Sequence, residues 1–265
     1  VGFRAYLIQY FIISDKKMTV ISPADTIIHP EYRRRGIHSM LNKQSLEKLY
    51  LEYPKSSILL NTTTSRNAMP AYLKADWSPC SHKNKVYGYR FSIFNIFKSL
   101  LKKDENSNHV DKISFSNAGL ILEVSKKIDK NKILEFIKNN RDKSKLTNIR
   151  DEFFFDWRYS HERDKYVLIL CYSNKTMVGY SILKKSSNYE YSIEEYLAVD
   201  TKILRSMLKG IQRKLKIPIV RTIIFSEEDK RTMKSCGFFV ESNLFIKFFN
   251  KQRFSVLLRP IKPNI

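Results

Sequence analysis

The sequence predicts an α/β (α+β) chain made of two similar units, each a mixed, mostly antiparallel sheet flanked by helices. Three observations predict it. Short β-branched runs alternate with stretches of helical period along the whole chain. The order of those runs occurs twice, and 265 residues with 43% hydrophobic content are enough for two ordinary domains with cores of their own.

Taken in order, Val1 to Phe11 reads as the interior of a strand, with no methionine, cap or lead-in before it. Met18 to Ile28 is a second strand across the polar turn Ser14-Asp15-Lys16-Lys17, so the two form an antiparallel hairpin. Pro30 ends the ladder because it brings no N–H. Arg33 to Gly36 makes a cationic turn, after which Ile37, Met40, Leu41 and Leu46 recur at helical spacing, and the helix ends at Tyr53-Pro54. Ser57 to Asn61 is a short buried strand, and Ser65 to Ala75 a short helix running into Trp77.

The aromatic, basic, amphipathic run Phe91 to Lys103 is expected to be an interdomain helix packed on its apolar side, in preference to a membrane contact. Lys102 to Asn108 is polar enough for a linker. The expected boundaries are therefore 1–88 for the first unit, 89–116 for a linker with the amphipathic segment, and 117–265 for the second unit. In the second, Leu120 to Val124 is a strand and Lys130 to Asn139 a helix with Ile133, Leu134 and Ile137 on one face. Phe153 to Tyr159 is an aromatic cluster of core or domain-interface type, and Tyr166 to Cys171 is a strand.

The repeat then emerges. Val178-Gly179-Tyr180 answers Val1-Gly2-Phe3, Arg205-Ser206-Met207-Leu208 answers His38-Ser39-Met40-Leu41, and Met233-Lys234-Ser235-Cys236-Gly237-Phe238 answers Tyr72-Leu73-Lys74-Ala75-Asp76-Trp77. From strand end to the shared methionine the first copy spends 12 residues (Ile28 to Met40) and the second 8 (Val199 to Met207). The difference falls on the Arg-Gly turn, so the second copy is expected to lack it. The second copy also carries about 55 to 60 residues ahead of its Val-Gly pair, the size of a strand, two helices and a strand. The first has none, which predicts that it is incomplete at its N-terminus.

The net charge of +22 is spread from end to end with abundant Asn, Ile and Tyr, so nucleic acid is not the expected partner. Only Arg33 to Arg35 is concentrated. Cys80, Cys171 and Cys236 are odd in number and far apart, which fits reduced thiols in a cytoplasmic setting and no metal site. No segment has the roughly 18 to 20 apolar residues of a membrane helix.

A helix that starts directly after a glycine turn presents unpaired N–H groups and a positive dipole end, and phosphate oxygens satisfy both. Residues 25 to 41 are thus an anion site. The Val-Gly strand, the strand ending in Ile28-His29-Pro30-Glu31-Tyr32-Arg33, the Arg-x-x-Gly turn opening a helix and Tyr72-Leu73-Lys74-x-x-Trp77 together resemble the GNAT superfamily of acyl-CoA-dependent N-acyltransferases. The match covers residues 1–77 well, and residues 117–250 look like a degenerate second copy, as in paired-domain GNAT proteins and, more remotely, the Fem-type aminoacyltransferases of cell-wall synthesis.

The family motif Arg/Gln-x-x-Gly-x-Gly/Ala stands here as Arg33-Arg34-Arg35-Gly36-Ile37-His38, with His38 where a small residue is usual. The resemblance implies that main-chain N–H groups from Arg34 to Ser39 hold the CoA pyrophosphate. It implies too that Ile27 and Ile28 pair with the pantetheine arm, and that Asn67 touches the cofactor. Tyr72 matches the tyrosine that protonates the departing thiolate; capping the core beside Trp77 is its equally weighted alternative. Asp25 is placed to draw the amine's proton through water, or is a strand-end residue bonded to a neighbouring turn. Glu194 and Glu195 in the second copy are expected to face solvent, and Met233 replaces Tyr72 there. The implied activity is transfer of an acetyl or similar acyl group from acyl-CoA to a primary amine, with an amino sugar of a surface polysaccharide pathway as the favoured acceptor. A Fem-type aminoacyltransferase and a non-catalytic nucleic-acid-binding protein stay open as alternatives.

Overall fold

The computed structural model describes residues 1–53, 57–64, 68–79, 86–101, 112–161, 165–224, 226–240 and 255–260. Its elements run β1 (Gly2–Ile13), β2 (Lys16–Ile28), α1 (Ile37–Glu52), β3 (Ser57–Thr64), α2 (Met69–Lys74), β4 (Ser78–Pro79), β5 (Val86–Phe91), α3 (Ile93–Leu101), β6 (Lys112–Asn117), β7 (Leu120–Ser125) and α4 (Lys130–Asn140). There follow β8 (Thr147–Asn148), α5 (Glu152–Tyr159), β9 (Tyr166–Ser173), β10 (Thr176–Lys185), β11 (Glu190–Ala198), α6 (Thr201–Lys214), β12 (Ile219–Ile224), α7 (Glu227–Ser235), β13 (Phe239–Val240) and β14 (Ser255–Pro260).

The strands form two sheets, in the orders β4-β14-β3-β2-β1-β8 and β13-β5-β12-β11-β10-β9-β7-β6. In both, an antiparallel hairpin is followed by one parallel neighbour: β3 beside β2, and β12 beside β11. In both, the next strand comes from elsewhere in the chain. β14 enters between β3 and β4, and β5 between β12 and β13. The two compact units are accordingly discontinuous, one of residues 1–85, 142–149 and 252–265, the other of 86–141 and 150–251. This differs from the boundaries expected at 88, 89 and 117. Much of the expected linker is regular structure, since it includes half of β5, all of α3 and all but the last residue of β6. The pairing that assigns β5 and β14 to their sheets is long-range and leaves no local trace in composition.

The amphipathic helix also differs from expectation. Among the described side chains of α3 the buried one is Asn95, whose Nδ2 donates to the carbonyls of Gln212 and Ile217 at 3.0 and 3.1 Å. Ile93, Phe94 and Phe97 are exposed.

In the second unit the sheet is covered on both faces. Leu204, Met207, Leu208 and Ile211 of α6 and Met233 of α7 pack with Leu122, Ile169 and Leu183. Ile133 and Phe136 of α4 and Phe155 and Tyr159 of α5 pack with Leu168, Leu170, Tyr180 and Ile182. Neighbours such as Leu168 and Ile169 go to opposite faces, as the pleat requires. Of the aromatic cluster, Phe155 and Tyr159 are core while Phe153 and Trp157 are exposed. The first unit has a smaller core of Ile21, Leu49, Leu59, Tyr72 and Trp77.

The two Val-Gly pairs hold equivalent places. Gly2 pairs with Ile28 and Gly179 with Ala198. A Cβ on Gly2 would come within 3.1 Å of Leu41 and 3.2 Å of Ile37, and one on Gly179 within 3.2 Å of the Leu197 carbonyl. In the first unit a side chain there would push α1 off the sheet.

Candidate active site

β2 and β3 run side by side from Thr19 and Ser57 only as far as Ile21 and Leu59. Beyond that point β2 continues to Ile28 against β1, and β3 continues against β14, so the strands diverge. A bulge sharpens the divergence: Arg4 faces Thr26 but Tyr6 faces Pro23, which leaves one extra residue in β2 at Ala24-Asp25. The opening holds a cavity of about 550 Å³ lined by Pro23, Ala24, Thr26, Ile27, Ile28, Arg33, His38, Asn61, Ala68 and Tyr72.

The end of α1 meets this cavity. Gly36 is the N-cap, in the left-handed region at φ 75°, and no side chain closes the helix end. The first bond at that end runs from Met40 N–H to the Gly36 carbonyl at 3.0 Å, so the N–H groups of Ile37, His38 and Ser39 face outward from the first turn. Arg34 also has positive φ, 63°, which makes the turn tight. Arg33 donates through Nε to the Ile28 carbonyl at 3.2 Å, tying the turn to the end of β2, and Arg35 lies over the Tyr32 ring at 5.2 Å. All three arginines and Ser39 are exposed.

The counterpart in the second unit is closed. The Asp200 side chain accepts from Ile203 N–H at 2.7 Å and puts a carboxylate where the first unit leaves a bare helix end. An anion is therefore favoured at α1 and opposed at α6.

His38 points into the cavity wall, edge-on to Tyr72 at 5.8 Å, and Tyr72 packs edge-on to the buried Trp77 at 5.1 Å. Burial first, and the Arg4 charge second, lower the His38 pKa. The ring is therefore neutral at pH 7. Its Nε2 faces Arg4 Nη1 at 3.5 Å, and because a guanidinium has no acceptor, Nε2 accepts and the ring proton belongs on Nδ1.

Arg4 was not singled out in the sequence, yet it organises this wall. It donates through Nε to the Tyr6 hydroxyl at 2.7 Å, through Nη1 to Thr26 Oγ1 at 3.1 Å, and through Nη2 to the Tyr72 hydroxyl at 3.2 Å. Since Arg4 only donates, the hydrogen of the Tyr72 hydroxyl is directed away from it, and Tyr72 lines the cavity. A charged residue inside an otherwise apolar strand, two positions after a glycine that faces α1, was the available signal.

Of the sequence-derived residues, Ile27, Ile28, Arg33, His38 and Tyr72 line the cavity, and Arg34, Arg35, Gly36, Ile37 and Ser39 form the turn and first helical residues beside it. Asp25 is exposed on the bulge and does not line the cavity. Asn67 lies outside the described residues. His29 is exposed, with Nδ1 3.9 Å from Glu31.

Glu195 corrects an expectation. It is 7% exposed, with Oε1 3.1 Å from Arg150 Nε and Oε2 accepting from the Tyr180 hydroxyl at 3.3 Å. Burial raises its pKa against the opposing pull of Arg150. Glu194, partly buried, pairs with Arg158 at 2.9 Å and accepts from Ser192 at 2.7 Å.

No family model and no curated protein matches the sequence. Solved structures do match it in fold. A conserved protein of Enterococcus faecalis V583 described as a probable N-acyltransferase aligns with a TM-score of 0.65 and 13% identity, over 97% of this chain and 58% of its own. A tandem GNAT protein from the clavulanic acid biosynthesis pathway aligns at 0.53 and 13%, over 94% and 78%. Saccharomyces cerevisiae N-myristoyltransferase with bound myristoyl-CoA aligns at 0.55 and 11%, over 97% and 66%. The fold is thus shared with these acyltransferase structures, one of them a tandem GNAT protein. The chain spans about three fifths of the length of the Enterococcus protein.

Proposed function

We propose that the first unit is an N-acyltransferase that moves an acetyl or similar acyl group from acyl-CoA to a primary amine. One observation carries this reading: the diverging strands, the uncapped end of α1 and the Tyr72 hydroxyl converge on a single cavity. The fit to acyl-CoA is good. The N–H groups at the α1 end and the Arg33 to Arg35 side chains suit a pyrophosphate. The edge of β2 beyond Ile21 suits an amide-bearing pantetheine arm that adds like a strand, although Arg33 already occupies the Ile28 carbonyl. His38, turned toward Tyr72, leaves the turn open.

In the reaction the amine nitrogen attacks the thioester carbonyl, the C–S bond breaks, and the thiolate takes the Tyr72 proton. The amine's own proton leaves through water, for which Asp25 on the bulge is our candidate acceptor. Nothing lining the cavity selects a sugar ring, so an amino sugar rests on family resemblance alone. The second unit, with α6 closed and Met233 buried in place of Tyr72, serves as support. No helix among the described residues is long and apolar enough to cross a membrane. Cys171 and Cys236, free and buried, are consistent with the cytoplasmic setting we propose.

Calorimetric titration of acetyl-CoA into the full chain tests the reading. Binding is expected in the micromolar range typical of enzyme substrates, about 1 µM to 1 mM. A folded protein that gives no heat overturns it.

A further inference from the structure

Arg4 is a half-buried cation whose partners are all neutral: Tyr6, Thr26, His38 and Tyr72. No carboxylate pairs with it among the described residues, and none lines the cavity. Arg4 stands directly behind the lining: it is not itself a lining residue, but three of its four partners, Thr26, His38 and Tyr72, are. Four of its five N–H hydrogens are spoken for, and one on Nη2 remains beside the Tyr72 hydroxyl. A half-buried guanidinium without a counter-ion is stabilised further by an oxyanion that it can both neutralise and hydrogen-bond.

We propose that Arg4 receives a carboxylate carried by a substrate of this site, an inference that rests on the acyltransferase reading above. The CoA phosphates are not the expected anion. They belong at the exposed Arg33 to Ser39 turn, whereas Arg4 sits at the Tyr72 hydroxyl, where the reacting atoms are. The alternative ligand chemistry, an amine arriving as a bare ammonium, is repelled by Arg4 and Arg33 with no acid in the lining to attract it. A carboxylate close to the amine, as in an amino acid, removes that repulsion. A carboxylate at the end of the acyl chain, as in a dicarboxylic acyl group, meets the same guanidinium from the other substrate. His38, kept neutral, adds no competing charge.

The test is calorimetric on the full chain and has two arms. In one, succinyl-CoA is compared with butyryl-CoA, which differs in replacing the terminal carboxylate by a methyl. In the other, the CoA-saturated protein is titrated with glycine, alanine and phenylalanine against methylamine, ethylamine and phenethylamine. At least about a tenfold preference for the carboxylate is expected in one arm, the size of one charge-assisted hydrogen bond. That arm identifies the source. Arg4→Gln should erase the preference and Arg4→Lys restore part of it. Equal affinities in both arms of the parent protein overturn the proposal, and this readout needs no variant to fold. Failure of the parent to bind acetyl-CoA at all overturns the acyltransferase reading instead.

Discussion

Tyr72→Phe removes one oxygen and leaves the ring where it is, edge-on to His38 at 5.8 Å and Trp77 at 5.1 Å. Arg4 can only donate to that oxygen, so the lost hydrogen is the one available to the departing sulfur. A positioned general acid contributes about 10² to 10⁴ in rate, which is about 2.7 to 5.4 kcal/mol on the barrier. Arg4 Nη2 loses an acceptor but is only half-buried, so water replaces it and the stability cost is about 1 kcal/mol. The assay is single-turnover release of CoA thiol at saturating acetyl-CoA, with whichever amine the parent acylates fastest. The rate should fall at least 100-fold while acetyl-CoA affinity changes less than about threefold and circular dichroism is unchanged. A rate within twofold of the parent refutes the acid role and returns Tyr72 to packing beside Trp77.

Gly36→Ala should weaken acetyl-CoA binding only a few-fold, because a Cβ there meets no atom within 4 Å and the penalty is left-handed strain of about 1 kcal/mol. Gly36→Glu adds a carboxylate against the pyrophosphate and should cost about 30-fold or more; equal calorimetric affinities for the two variants would contradict an anion site at this turn. For His38, the folded pKa lies below the unfolded value, so the unfolded chain binds more protons in between and the folded state loses stability as pH falls from about 6.5. His38→Phe should flatten the urea midpoint between pH 7 and 5 relative to the parent, and an identical pH dependence counts against the assignment. Glu195→Ala strands Arg150 and the Tyr180 hydroxyl and should cost about 3 kcal/mol by urea denaturation, with a loss under 1 kcal/mol speaking against a coupled buried pair. Asp25→Asn, at an exposed position, should change stability by less than about 0.5 kcal/mol. It should lower turnover most at low pH if Asp25 takes the amine's proton, and an unchanged pH–rate profile removes that role.

The parts of this molecule that could be read from sequence are those whose signal is local. The Gly36 turn, the helix after it and the Tyr72-to-Trp77 closure could be recognised because each depends on residues a few places apart. Trp77 N–H bonds the Tyr72 carbonyl at 3.1 Å, as Phe238 N–H bonds Met233 at 2.9 Å, and the positive φ that ends each helix falls on Asp76 and Gly237. The exchange of β5 and β14 was not legible, because a strand's sheet is set by partners more than a hundred residues away. Nor was the wall of the cavity. Arg4 and His38 meet only because Gly2 lets α1 approach β1, and no spacing rule links residue 4 to residue 38. Apolar periodicity also misled at Met40, which is exposed, whereas its counterpart Met207 is fully buried.

The duplicated units explain why one strand position behaves in two ways. Asp25 and Glu195 each lie three residues before the residue that faces the Val-Gly glycine, Ile28 and Ala198, and each lies at the bulge of its strand. In the second unit that face of the sheet is covered by α4 and α5, and the carboxylate there is stabilised by Arg150 and Tyr180. The described residues of the first unit contain no counterpart of α4 and α5, and Asp25 is exposed. On the opposite face the contrast reverses. There the second unit fills the space with Met207, Leu208 and Met233 and caps α6 with Asp200, while the first keeps an open cavity and an uncapped helix. The same bulged hairpin is thus a brace in one unit and the lip of a site in the other. Arg4 marks the distinction: its register counterpart, Ser181, is fully buried and spends its hydroxyl on the Glu195 carbonyl at 3.1 Å. The serine there is uncharged and satisfied within the core, whereas the arginine brings a half-buried charge to the wall of the cavity.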